Sequence, residues 1–153
     1  MLLFAPVAAL GVGQAELLPA ERAFELSAAA RDGRTVAARF AIADGYYLYR
    51  DRMEFALADA TLAAAPELPR GKVKDDPFFG RVEVLRGEVI VELRLAQDRG
   101  GETVRVVVTS QGCADAGVCY PAQRQTVALS LPKPGERPGP PVEAAPRRKS
   151  WFN

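Results

Sequence analysis

The residues able to do redox chemistry in this chain are its two cysteines, Cys113 and Cys119, set at a C-x5-C spacing in Gln111-Gly112-Cys113-Ala114-Asp115-Ala116-Gly117-Val118-Cys119-Tyr120-Pro121. Two thiols this close can close a disulfide and can trade it with another thiol. Exchange needs a thiolate, a reachable sulfur and surroundings that control attack. No Lys or Arg lies inside the loop to acidify a thiol, and Asp115 would raise a thiol pKa if it lay near one. The other reading is a structural staple. In the chain-entropy model so short a loop gains about 2–3 kcal/mol at most, and a hairpin has already closed most of it. A stabilising bridge more often ties residues far apart in sequence, as the inter-sheet bridge of antibody domains does. That argues for redox work, whereas the spacing argues for a staple, since C-x5-C is not a recognised catalytic motif. Both readings stay open at this level.

The elements that must hold the pair are strands. Val104, Val106 and Val108 alternate with Thr103, Arg105 and Thr109 before the loop; Val127, Leu129 and Leu131 alternate with Thr126, Ala128 and Ser130 after it. Period-2 alternation on both sides of a Gly-containing connection predicts a hairpin. The cysteines then sit where strands meet loop, able to bond if their Cα atoms come within about 7 Å. Further strands are expected over Thr35 to Ile42, with Val36, Ala38, Phe40 and Ile42 on one face, over Tyr46 to Arg50 after the Asp44-Gly45 turn, and over Gly87 to Leu95. Leu62 to Leu68 reads as an irregular edge. No segment carries a 3.6-residue period for more than two turns. The expected class is all-β, a sandwich or a barrel.

Composition narrows the function. A chain of 153 residues with 48% apolar and 25% charged residues has the size and balance of one globular domain plus tails. A net charge of +1 suggests no nucleic acid or other polyanion as partner. The absence of histidine removes Ser-His-Asp and Cys-His catalysis, and two cysteines cannot build a four-thiolate zinc site, so no metal is expected. In the redox reading no cofactor is expected either, because the sulfurs carry the electrons. Residues 1–15 are apolar through Leu10 and end in Gly13-Gln14-Ala15, as a secretory signal segment does, although no basic residue precedes Glu16. They are too short to span a membrane. Export would suit paired cysteines, which persist in oxidising compartments. The globular domain is expected over 16–131. Residues 132–153, rich in Pro, read as a disordered linker or tail with a basic cluster at Arg147-Arg148-Lys149.

The wording of the cysteine loop closely resembles the redox loop of the N-terminal periplasmic domain of the DsbD family of membrane thiol–disulfide interchange proteins. Asp44-Gly45-Tyr46-Tyr47-Leu48-Tyr49-Arg50 and Asp75-Asp76-Pro77-Phe78-Phe79-Gly80 are similar to two further stretches of that family, in the same order. The resemblance covers roughly Leu17 to Leu131. It implies an immunoglobulin-like β-sandwich that takes electrons from a thioredoxin-like domain and reduces periplasmic thioredoxin-fold proteins, among them disulfide isomerases and cytochrome c maturation factors. The membrane enters only through a fused domain. The resemblance gives Cys119 the partner-linked role and Cys113 the resolving role. It makes Asp76-Pro77-Phe78-Phe79-Gly80 a cap loop with an aromatic ring over the disulfide; the residues alone also allow both Phe in the core, so Phe78 is expected as the cap and Phe79 as core. It sets Tyr47 and Tyr49 beside the cysteines, where a phenol could reach a sulfur or Asp76. Tyr120 is expected to be loop packing. Two positions depart from the family pattern: Pro77 stands where an acidic residue is common, which stiffens the loop, and Ala122 where a second Pro is common.

Two other classes compete. One is a secreted immunoglobulin-like module with a structural disulfide that presents Tyr47 and Phe78 to a protein or glycan. The other is an inactive remnant of the redox domain. A structural bridge resists reduction and its loss costs stability; a redox bridge exchanges readily and its loss leaves the fold standing.

Overall fold

The computed structural model describes residues 16–146. The expected signal segment 1–15 and the basic cluster Arg147-Arg148-Lys149 lie outside the described residues. A single helical turn, Ala20–Ala23, leads into the strands β1 (Phe24–Ala30), β2 (Thr35–Ile42), β3 (Tyr46–Tyr49), β4 (Glu54–Leu57), β5 (Lys72–Asp76), β6 (Gly80–Leu85), β7 (Glu88–Arg94), β8 (Thr103–Ser110), β9 (Gly112–Ala114), β10 (Gln123–Ser130) and β11 (Val142–Glu143). A short 3-10 turn over Arg50–Arg52 follows β3. All the pairings between these strands are antiparallel. The all-β, immunoglobulin-like expectation holds.

The strands form three hydrogen-bonded groups: β11-β1-β2-β7, β10-β8-β4 and β5-β6-β3-β9. Alternation decides which side chains meet. Val36, Ala38 and Phe40 from β2, Val89, Val91 and Leu93 from β7, and Val104, Val106 and Val108 from β8 are all at most 3% exposed and belong to one apolar core. Each such side chain withdrawn from water contributes roughly 1.5–3 kcal/mol, so this core is the main source of stability. Leu62 makes only an isolated bridge to Leu95, in keeping with an irregular edge.

The third group lies over a second, smaller cluster of buried residues: Tyr47, Tyr49, Val84 and Cys113, with Val82 and Cys119 packed against it. The predicted hairpin is present, with β8 and β10 paired from Ser110↔Gln123 to Thr103↔Ser130. Its connection does not stay in that sheet. Gly112–Ala114 crosses to pair with β3, setting Cys113 opposite Tyr47. Gly112 allows this approach, since a Cβ there would stand 2.3 Å from the Tyr47 carbonyl oxygen and 2.7 Å from the Phe24 ring.

The chain beyond Leu131 differs from a uniform linker. Pro132 is buried, Val142 pairs with Ala28 and Glu143 with Ser27, and the Ala144 N–H donates to the Leu26 carbonyl at 2.9 Å. Proline cannot donate to a ladder, but Val142-Glu143-Ala144 lies free of proline between Pro141 and Pro146 and meets the open edge of β1. Composition averaged over the tail hides that tripeptide. Among the described residues no helix is long and apolar enough to cross a membrane.

Candidate functional site

The cysteines are joined. Cys113 and Cys119 form a disulfide with Cα atoms 4.0 Å apart. They face each other as an isolated antiparallel bridge, closed by Ala114 N–H to Val118 O at 2.7 Å and Tyr120 N–H to Gly112 O at 3.0 Å. The tip turns at Gly117, whose φ of +94° lies where a side chain would be strained. The two sulfurs are not equivalent. Cys113 is 0% exposed, whereas Cys119 is only half-buried at the rim. Cys119 is thus the more exposed of the two residues, and Cys113 lies in the small buried cluster with Tyr47, Tyr49 and Val84.

Behind Cys113 stands a polar cluster inside an apolar setting. The Tyr49 hydroxyl lies 3.0 Å from Cys113 Sγ and 3.8 Å from Cys119 Sγ, and donates to Asp76 Oδ2 at 2.7 Å. The Tyr47 hydroxyl donates to the same oxygen at 2.9 Å. Asp76 Oδ1 accepts the backbone N–H groups of Phe78 at 2.8 Å and Phe79 at 3.0 Å. One carboxylate thus satisfies two buried phenols and fixes the β5–β6 turn. Burial alone would push the Asp76 carboxyl up, but the bonds from Tyr49, the Phe78 N–H, Tyr47 and the Phe79 N–H outweigh it and hold the group below the usual carboxylate range. Burial and the adjacent carboxylate push both tyrosine hydroxyls up, so they remain protonated donors.

Sequence reasoning brought together Cys113, Cys119, Tyr47, Tyr49 and Asp76, and the fold places all five in one cluster. It was mistaken about Phe79. That residue is not core: it is 40% exposed, its ring stands edge-on to Tyr49 with centroids 5.1 Å apart, and the Arg52 guanidinium lies 3.7 Å above it. Phe78 is 60% exposed. Asp76 clamps the backbone N–H groups of both residues and so fixes the turn that carries the two rings. Tyr47 is 3% exposed, so a module that presents its ring to a ligand does not fit this structure. Tyr120 is loop packing, as expected: it sits edge-on to Phe24, and its hydroxyl donates to the Leu18 carbonyl at 2.5 Å.

Arg86 was not anticipated. It follows β6 and holds Asp115, within the cysteine loop, by two bonds of 3.0 and 2.7 Å. The Arg86 guanidinium lowers the Asp115 carboxyl despite partial burial, and it also lies 5.1 Å from the centre of the Tyr47 ring. Lys74 Nζ lies 5.3 Å from the same ring. No local motif marks these residues, because it is the β5–β6, β3–β6 and β3–β9 pairings that bring them to the loop. Among the described residues no group of acidic or cysteine side chains could hold a metal ion.

Comparison with known proteins agrees with this geometry. Residues 14–131 match the family model described as thiol:disulfide interchange protein DsbD, N-terminal. The chain is 45% identical over 136 residues to the thiol:disulfide interchange protein DsbD of Ralstonia nicotianae, covering 85% of this chain and 22% of that protein. The crystal structure of the Neisseria meningitidis DsbD N-terminal domain in the reduced form superposes with a TM-score of 0.71 at 35% identity, covering 84% of this chain and 96% of that one. A second solved structure, the complex between the DsbD N-terminal and PilB N-terminal domains of the same species, matches with a TM-score of 0.62 at 39% identity, over 74% of this chain and 87% of that one. The chain spans about a fifth of the length of the Ralstonia relative.

Proposed function

The chain belongs to the DsbD N-terminal family, and from that premise we propose that it is a periplasmic thiol–disulfide exchange domain that relays two electrons between thioredoxin-fold proteins through Cys113 and Cys119. The observation that carries the reading is the asymmetry of the disulfide: one cysteine is half-buried, the other fully buried with its sulfur against the Tyr49 hydroxyl. In the reductive half, a thiolate of a thioredoxin-like donor attacks Cys119 Sγ. The Cys119–Cys113 bond breaks, a mixed disulfide forms, and the electron pair leaves on Cys113. The donor's second thiolate then attacks its own sulfur in the mixed disulfide, which releases Cys119 as a thiolate and leaves the donor oxidised. In the oxidative half, Cys119 attacks an acceptor disulfide and Cys113 resolves the product. Acceptors of this kind include disulfide isomerases and cytochrome c maturation factors. The sulfurs carry the electrons, so the reaction draws on no bound cofactor. That a DsbD N-terminal domain has been solved in complex with another protein's domain supports a protein, rather than a metabolite, as the exchange partner.

The test is a trap. A Cys113→Ala variant is mixed with a thioredoxin-like domain that lacks its resolving cysteine and carries its remaining cysteine as a mixed disulfide with a small aromatic thiol. Rapid formation of a covalent heterodimer through Cys119, and much less in the matched Cys119→Ala variant, is the expected result. Two folded variants that both fail to form it would sink the proposal.

A further inference from the structure

The charges around the disulfide do not cancel, and their imbalance specifies the partner. Strand alternation puts Lys72 and Lys74 on the same face of β5 as Asp76, and Val73 and Asp75 on the other. The carboxylates on the site's side are spent: Asp76 is 5% exposed and accepts four hydrogen bonds, and Asp115 is held in a two-point ion pair by Arg86. The cations are not. Arg52, over Phe79, and Lys74, beside Tyr47, have no carboxylate oxygen within 4.0 Å among the described residues, and Lys74 acts on the Asp115 carboxylate, already paired with Arg86, only at longer range. Among the described residues the only polar side-chain contact of Arg52 is to Gln111 Oε1 at 3.5 Å, at the root of the cysteine loop. Arg50 and Glu83, which might have joined this balance, pair with each other. Arg52 and Lys74 therefore stand against Phe79 and Tyr47, two rings that meet Tyr49 beside the disulfide, and Phe78 of the β5–β6 turn and Val118 of the cysteine loop are exposed apolar side chains.

We infer that Arg52 and Lys74 form an anion-selective rim, and that the partner is a protein whose exchanging cysteine is flanked by carboxylates. The inference rests on the exchange reading above and adds to it the chemistry of the partner's face. An attacking thiolate is itself an anion, so the rim draws it toward Cys119. A partner bearing Asp or Glu beside its thiol gains further attraction, while one with a basic active-site face is repelled. Such complementarity acts mainly on the rate of encounter and fades with salt.

Small thiols test the rim without any protein partner. Reduction of the full chain's disulfide is timed at low ionic strength with 2-mercaptoethanesulfonate, 2-mercaptoethanol and cysteamine. In each case the thiolate attacks Sγ, the cysteine disulfide breaks, and a second thiol completes the reduction as the small disulfide. Rates are corrected for each reagent's thiolate fraction and intrinsic nucleophilicity. The expected order is anionic over neutral over cationic, with roughly ten-fold between the extremes, shrinking toward unity near 1 M salt. In an Arg52→Gln/Lys74→Gln variant, shown folded by thermal unfolding, that ratio should collapse. Equal rates for the three reagents, or an order the double variant keeps, overturns the inference. A second arm uses a thioredoxin-like donor with acidic residues beside its thiol: Arg52→Glu/Lys74→Glu should slow exchange roughly ten-fold at low salt and little at high salt. An unchanged rate in that arm overturns the assignment of the partner. The small-thiol arm stands even if the heterodimer trap fails, so the two proposals can fail separately.

Discussion

The Tyr49 hydroxyl oxygen lies 3.0 Å from Cys113 Sγ and 2.7 Å from Asp76 Oδ2. A phenol has one proton, and a sulfur in a disulfide has none to give. The proton therefore goes to the carboxylate, in a charge-assisted bond, and the sulfur meets the phenol's lone pairs. Reduction changes what is asked of this oxygen. A Cys113 thiol can donate to it, but a Cys113 thiolate would need the proton that Asp76 already holds, and would sit one hydroxyl away from a second negative charge. The cluster favours Cys113 as a protonated thiol.

Asp76→Asn should accordingly acidify Cys113. With Cys119 replaced by alanine, the pH dependence of Cys113 alkylation by iodoacetamide is expected to move down by about one pH unit, because a like charge is removed and Tyr49 is freed to donate to sulfur. An unmoved midpoint would show that Asp76 only supports the turn. Asp76→Ala is expected to cost roughly 2–4 kcal/mol in urea unfolding, since Tyr47 and Tyr49 are 3% and 2% exposed and would lose their acceptor.

The same carboxylates set an acid limit on stability. Asp76 and Asp115 both titrate below the ordinary carboxylate range in the folded chain. A depressed folded pKa stabilises above the unfolded value of about 3.9 and loses that contribution as pH falls through the folded value. Unfolding free energy should hold from pH 7 to about 5 and decline below 4. Asp76 dominates, because the Asp115 side chain is 47% exposed and solvent screens it. Chemical denaturation at pH 7, 4 and 2.5 should therefore show a shallower decline in Asp76→Asn than in the parent. An equal decline in both would place the acid sensitivity elsewhere.

Much of this architecture was legible in the sequence, and the exceptions have physical causes. β2, β7 and β8 announce themselves because one face is apolar and the other is wet, the pattern that a half-buried strand requires. β5 reads Lys72-Val73-Lys74-Asp75-Asp76, with Asp76 its one buried side chain, so no hydrophobic period marks it. β9 has three residues and is defined by pairing with β3 rather than by composition. The site residues were found through motif wording; their contacts were not. Arg86 meets Asp115 across 29 positions, and the loop itself holds no Lys or Arg. The fold supplies that charge from β5, from the turn after β3 and from the end of β6. Phe79 misled because a Phe pair beside a turn gives no sign of which ring faces inward.

The cysteine pair should be dispensable for folding. The apolar core built on β2, β7 and β8 does not include the disulfide, and the loop is closed independently by backbone bonds from Ala114 and Tyr120. Cys113→Ala/Cys119→Ala is expected to lower the unfolding free energy by about 2 kcal/mol or less, with a far-ultraviolet circular dichroism spectrum like that of the parent. A loss above about 4 kcal/mol, or an unfolded variant, would return the bridge to a structural role.

Phe78 and Phe79 make opposite predictions about what guards the bond. Phe79 stands edge-on to Tyr49, whose hydroxyl meets the Cys113 sulfur, and carries the Arg52 guanidinium on its face. A cation over a ring at an exposed site is worth roughly 0.5–1 kcal/mol, enough to bias the position of the ring without locking it. Phe78 is anchored through its backbone N–H to Asp76, and the residue is 60% exposed. If Phe78 is the cover, Phe78→Ala should speed reduction by neutral dithiothreitol several-fold while Phe79→Ala changes it little. If Phe79 controls access, the order reverses, and Phe79→Ala should also disturb Tyr49 fluorescence. Stopped-flow reduction of both variants, with thermal unfolding as the control for folding, decides between them. Equal rates in both variants and the parent would mean that neither ring shields the disulfide, and the cap role would have to be withdrawn.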